Sequence, residues 1–326
     1  MSTPAAQRRG LLLGLVAVLI FSVTLPVTRL AVGTPLEPQL SGVFVALARA
    51  VLAALLSAIY LLAVRAPWPE RRHWPALIII SLGVVLGFPL CTSVALRHVE
   101  AVHASAIQGV LPLSTAVLGA LLNRQRPSAG FWACAGLGSA LVMAYALLRS
   151  GPSAWLLHPA DALLVLGMLA ASIGYVWGAR LSGQMPPEQV ICWSLLVALP
   201  LTVPGSWLSL PTEPIETRTW LSLVYLAVFP MWVGFFFWYR GLSLGGTVRV
   251  SQVQLLQPFL SMLFAVVLVG ESLDALTLGF ALAVMATVLL GRKMAVHPVE
   301  RPVERHVERS SEHPGERRDS DAAKPP

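Results

Sequence analysis

Ten stretches of this chain are each about 20 residues long and almost wholly apolar, at residues 10–32, 39–64, 74–96, 99–122, 128–148, 160–181, 187–208, 219–240, 246–269 and 273–292. At 1.5 Å of rise per residue each crosses a bilayer core as a helix, the conformation that satisfies its own backbone in lipid. The first run follows Arg8 and Arg9 but carries Pro26 and Arg29 and no small-x-small cleavage site, so it reads as a retained span. With 56% hydrophobic and 12% charged residues, a water-soluble globule would lack the charged side chains that cover such a surface. Lipid is the solvent for most of the chain, and the expected class is an all-α membrane protein. The net charge of +7 marks topology and forms no basic stripe for nucleic acid. Cys91, Cys134 and Cys192 lie in apolar runs without metal-ligand spacing, and the reading includes no metal and no cofactor.

Cationic flanks stay on the cytoplasmic side during insertion. One set of loops and termini carries eighteen Lys and Arg, the alternate set four, and Arg49 lies inside the second span. Both termini are therefore expected in the cytoplasm of a bacterial-type inner membrane. Residues 1–9 form a cytoplasmic N-terminus. Residues 149–159 form an outer loop. From 293 to 326 the composition turns to charge, Pro and Ser, which predicts a disordered cytoplasmic tail with a Pro298-Val-Glu-Arg, Pro302-Val-Glu-Arg, His306-Val-Glu-Arg repeat.

Shifting the chain by 146 residues aligns Ser105 with Ser251, Gln108 with Gln254 and Pro112 with Pro258. Polar and Pro matches carry more information than matches in Leu- and Ala-rich text. Two five-helix units, 10–148 and 160–292, contain an odd number of spans each and must lie in the membrane with opposite orientation. Inverted repeats of this kind are a mark of secondary transporters.

Several segments resemble the EamA-type branch of the drug/metabolite transporter superfamily. They are Phe21-Ser-Val-Thr24-Leu-Pro26-Val-Thr28-Arg29, Phe44 with Arg49 and Ala53, Ala101-Val-His-Ala-Ser105 through Pro112-Leu113, and Ser251 through Pro258 to Gly270-Glu271. The similarity extends over residues 10–292 and implies a basket of ten helices around a central path, exporting small metabolites, often amino acids. Gln125 stands where the first half of that family carries the counterpart of Glu271.

Arg49 is the sharpest signal within the spans, because a cation near the bilayer centre costs about 2.5–3.5 kcal/mol on insertion scales. A structural role between helix ends competes with recognition of a carboxylate, for which a guanidinium fork is suited. Gln108, Gln252, Gln254 and Gln257 cluster near Pro112 and Pro258, where displaced backbone groups are free to face a ligand, and interhelical hydrogen bonding is the alternative role. Tyr175, Trp232 and Tyr239 are candidate aromatic walls, and Thr24 and Thr28 complete the candidate path. Pro89 and Pro230 are expected to break the third and eighth spans as Pro112 and Pro258 break the fourth and ninth. Gly10-x-x-x-Gly14, Gly83-x-x-x-Gly87 and Gly174-x-x-x-Gly178 permit close helix contact, within one subunit as readily as in a homodimer.

No carboxylate lies deep in a span, since Glu100, Asp161 and Glu271 are near ends, which favours a facilitator over a proton antiporter. His98 and His103 also sit near a span end. Gly151-Pro-Ser153-Ala has no deep His to serve as a base, and HExxH, P-loop and GxSxG patterns are missing, so the chain reads as no enzyme. The expected partners are a small-molecule substrate and the bilayer. Proton-coupled export of drugs or hydrophobic cations is the alternative function.

Overall fold

A computed structural model describes residues 4–99, 101–108, 111–123, 125–150, 159–257, 259–261, 264, 275–291 and 296–298. The described residues are helical almost throughout, and six of the expected runs are helices long and apolar enough to cross a membrane. The first is α1 (Pro4–Ser22) continued by α2 (Thr24–Val32), and the second is α3 (Gly42–Ala63). The third is α4 (Trp74–Ile80), a π-helical turn at Ser81–Gly87 and α5 (Phe88–Ala95). The sixth and seventh are α9 (Pro159–Leu181) and α10 (Pro187–Leu208). The eighth is α11 (Thr217–Val228), a π-helical turn at Phe229–Val233 and α12 (Gly234–Gly245).

The other four runs are described in part. The fourth holds α6 (Ala101–Gln108) and α7 (Leu111–Leu122), the fifth α8 (Ala129–Ser150), the ninth α13 (Thr247–Val250) with a 3₁₀ stretch at Ser251–Leu256, and the tenth α14 (Ala275–Gly291). Pro258, Glu100, Glu271 and nearly all of the tail lie outside the described residues. One feature differs from an all-α expectation. Strand β1 (Gln125–Pro127), between the fourth and fifth runs, pairs antiparallel with β2 (Val296–Pro298), at the start of the tail. Such a pairing depends on which chain ends meet in space. Each strand closes on a proline, which cannot donate to a ladder, so the ribbon stops after three residues.

The breaks within spans have local causes. In both π-helical turns the next N–H reaches back five residues, from Phe88 to the Gly83 carbonyl and from Gly234 to that of Phe229. A Cβ on Gly87 would stand 2.8 Å from the Leu82 carbonyl, and one on Gly234 would stand 3.0 Å from the Phe229 carbonyl, so the wider turn closes where a side chain is missing. Pro89 follows the first π turn and Pro230 lies within the second, at the places where a missing N–H removes an ordinary helical bond. Thr92 Oγ1 donates back to the carbonyl of Phe88 at 2.7 Å. Helices α5 and α12 begin 146 positions apart, as do α6 and α13, and α8 and α14.

Packing partnerships recur with the same exchange of halves. Helix α1 lies along α12, and α9 lies along α4, its π turn and α5; α3 pairs with α10, α8 with α14, and α7 with the 3₁₀ stretch. Glycines allow the closest approach. A Cβ on Gly10 would fall 2.4 Å from the backbone N of Gly245, one on Gly83 would fall 2.5 Å from the Ala170 carbonyl, and one on Gly178 would strike the Tyr239 ring at 2.2 Å. All three glycine motifs therefore serve contacts within this chain.

Loops gather at two ends. At one, Arg97 Nη2 donates to the carbonyls of Val32, Gln39 and Leu40 at 3.3, 3.3 and 3.1 Å, Arg29 caps the Leu96 carbonyl, and Thr219 Oγ1 donates to Gln39 Oε1 at 3.2 Å. At the other, Arg249 Nη1 donates to Gln7 Oε1 at 2.9 Å, Arg240 pairs with Glu188 at 3.1 Å, and Arg180 reaches Asn123 Oδ1 at 2.8 Å and the Leu122 carbonyl. Cations at helix C-termini satisfy carbonyls that have no intrahelical donor. Replacing Gly10 by Val should separate α1 from α12 and lower stability by about 1–3 kcal/mol. Thermal unfolding of the purified variant in detergent measures this, and an unchanged midpoint would contradict the close packing.

Candidate functional site

Where α1 gives way to α2, Pro26 has no N–H for the Ser22 carbonyl, and a single turn residue, Val23, separates the two helices. The ninth run supplies donors at this point: Gln257 Nε2 reaches the Phe21 carbonyl at 3.1 Å, and Ser261 Oγ reaches that of Ser22. The 3₁₀ winding of residues 251–256 has three residues per turn, which brings Ser251, Gln254 and Gln257 toward one side of the run. Gln252 is turned elsewhere and donates to the Pro112 carbonyl at 3.4 Å. A break in one helix and a change of winding in another thus meet beside a cavity.

The cavity and its mouth together span about 400 Å³ of space between atoms, open solvent included. Its polar wall consists of Thr24, Arg49, Gln108 and Gln257. Phe21, Phe88, Tyr175 and Phe235, with Val84, Pro230 and Met231, form the apolar wall. The rings support one another: Tyr175 and Phe235 are 6.0 Å apart between centroids, Phe21 and Phe235 are 5.4 Å apart, and Trp238 stands behind Tyr175 at 5.3 Å. Such tilted aromatic packing fixes a wall more rigidly than aliphatic side chains.

Arg49 is 3% exposed, and among the described residues it makes no ion pair and no hydrogen bond. Every other inward-reaching arginine described above ends on a carbonyl, an amide oxygen or a carboxylate. This guanidinium faces the cavity instead, and none of the eleven lining residues is acidic. Thr24 Oγ1 is likewise buried without a partner.

The structure brings together Thr24, Arg49, Gln108, Tyr175 and Gln257, along with Pro230. Thr28, Trp232, Tyr239 and Gln254 lie off the cavity wall. Thr28 is buried one helical turn beyond Thr24. Trp232 packs edge-on against Tyr60 and Phe236, and Tyr239 is wedged against Gly178 with its hydroxyl 3.5 Å from the Gly174 carbonyl. Gln254 sits beside Tyr175, 4% exposed, and neither end of its amide completes a hydrogen bond, although the Tyr175 hydroxyl approaches it. Pro89 and Pro112 fall in the first turns of α5 and α7 and are buried away from the wall. Apart from Tyr175 and Pro230, the apolar wall was the part missed, because Phe88, Met231 and Phe235 read as ordinary membrane text and Phe21 stood out only as part of the family resemblance. Their closeness to Pro89, Pro230 and the first-span break was the available signal.

An unpaired buried cation costs free energy in the empty protein. Arg49→Met, which keeps the length of the side chain and removes its charge, should raise the unfolding free energy of the ligand-free protein by about 2 kcal/mol. A fall in thermal midpoint would show instead that contacts hold Arg49 in place.

Comparison with known proteins agrees with this architecture. A crystal structure matches with a TM-score of 0.69 over 86% of this chain and 97% of its own, at 20% identity, a likeness of fold. YdeK of Bacillus subtilis (strain 168), an uncharacterized transporter, is 40% identical over 288 residues, covering 88% of this chain and 98% of the relative. Residues 8–147 and 158–291 each match the EamA-like transporter family, so the chain carries two such domains, is a multi-pass membrane transporter and no enzyme, and belongs to the EamA-like transporter family of the drug/metabolite transporter superfamily.

Proposed function

We propose that this transporter is a ten-span inner-membrane carrier, built as two inverted five-helix repeats with both termini in the cytoplasm, that exports small metabolites such as amino acids or facilitates their passage by alternating access. The two family matches support the repeat, and so do the 146-residue spacing of helix starts and the exchanged packing partners. The sorting of loops to two ends agrees with an even number of spans, and the excess of Lys and Arg sets the cytoplasmic side.

The observation that carries the functional reading is Arg49, unpartnered on a cavity wall that contains no acid among the described residues. A carboxylate arriving there supplies the missing counter-charge and accepts two N–H bonds from the fork. Hydrophobic cations, the alternative cargo, would meet a like charge in a low-dielectric site. Among the described residues the lining holds no titratable carboxylate, which favours passage down the substrate's own gradient over proton exchange.

Alternating access requires the cavity to open toward each end in turn. Gln254, whose unpaired amide lies beside Tyr175, marks the continuation of the path beyond the wall, where water or substrate completes its hydrogen bonds in the other state.

Counterflow of labelled amino acids and related metabolites into proteoliposomes, with and without a proton gradient, tests this reading. Saturable exchange indifferent to the gradient is expected. Arg49→Ala should lower flux at least about ten-fold and Gln254→Ala by a smaller factor, with membrane insertion unchanged. Wild-type flux in both variants would remove these residues from the path.

A further inference from the structure

The charge of the cavity specifies its cargo more narrowly than the class of small metabolites. Resting on the transporter reading above, we propose that the site selects monoanionic carboxylates with an aromatic or branched apolar body, in preference to the zwitterionic amino acids of the same shape. Among the described residues the lining holds one cation, Arg49, and no carboxylate. Nor does a described acid stand behind it, since Glu37, Glu70, Asp161, Glu188, Glu213 and Glu216 all lie in loops or the first turn of a helix. A monoanion makes the loaded site neutral, whereas a zwitterion leaves its ammonium group inside a cavity whose net charge remains positive.

The remaining polar groups favour the same cargo. An ammonium group has three donors and needs acceptors, preferably ionised ones. Gln257 donates from Nε2 to the Phe21 carbonyl, which leaves its Oε1 as a neutral acceptor. Thr24 Oγ1 and the Gln108 amide provide neutral acceptors, which bind an ammonium far less strongly than a carboxylate does. Those same groups can donate, through the Thr24 O–H and the Gln108 NH₂, and so add to Arg49 in holding an anion. The cavity is lined also by Phe21, Phe88, Tyr175 and Phe235, a surface suited to a ring or branched chain.

The test uses three compounds that share a phenyl ring and a short chain: 3-phenylpropionate, L-phenylalanine and 2-phenylethylamine. Binding to the full chain in detergent is followed by titration calorimetry at neutral pH, and flux by counterflow in proteoliposomes. The anion should bind about ten-fold or more tightly than the zwitterion, and the amine weakest of the three. Arg49→Gln, checked for folding by size-exclusion profile and melting point, should weaken the anion about ten-fold and narrow its margin over the zwitterion. Arg49→Lys should restore part of that margin. Equal or tighter binding of L-phenylalanine by the wild-type protein, or no binding by any of the three, would overturn the selectivity. Tight binding of the anion without counterflow would leave the selectivity standing and refute the transporter cycle instead.

Discussion

Hydrocarbon offers no hydrogen bonds, and this fold is shaped by the places where its backbone departs from regular helix regardless of that fact. Each departure is met by a named donor or an altered winding. The carbonyls beside the first-span break are taken by Gln257 and Ser261, and the two π-helical turns reroute their bonds across five residues. These repaired breaks surround the cavity. An unbroken helix would present only side chains there, whereas a displaced turn moves backbone and side chains away from one another and leaves space between them.

Of the buried polar side chains with an atom left without a hydrogen bond, three bear directly on the cavity. Arg49, Thr24 Oγ1 and both ends of the Gln254 amide are buried without partners, in a protein that elsewhere spends side chains on capping carbonyls. Two of the three residues face the cavity and the third lies next to one of its walls. Stability is given up where a ligand or the opposite conformation supplies what is missing, the usual trade at a functional site.

Much of this could be read from residues alone. Span positions followed from the length of apolar runs, and the π-helical turns fall where Pro89 and Pro230 had marked breaks. Arg49, Gln108 and Gln257 were visible because a polar residue in apolar text is rare. The aromatic wall was not, since Phe21 and Phe235 differ from lipid-facing phenylalanines only in orientation, which the packing of other helices decides. Tyr239 was overvalued for a related reason: an aromatic within a span signals a binding wall or a space-filler equally, and the gap opposite Gly178 makes it the latter. The β1–β2 ribbon depends on two remote segments reaching the same end of the bundle, and no periodicity in three residues announces it.

The glycine contact between α1 and α12 also bears on which parts move together. Gly10 and Gly245 lie so near that no side chain fits between them, and α9 is seated on the third run in the same manner through Gly83 and Gly174. Helices so closely apposed travel as one, because parting them would open a void that neither lipid nor water fills well. The closely packed units of this protein are therefore not its two sequence domains. Each consists of a helix from one domain seated on a helix from the other, so a seam between such units runs through both domains and not between them.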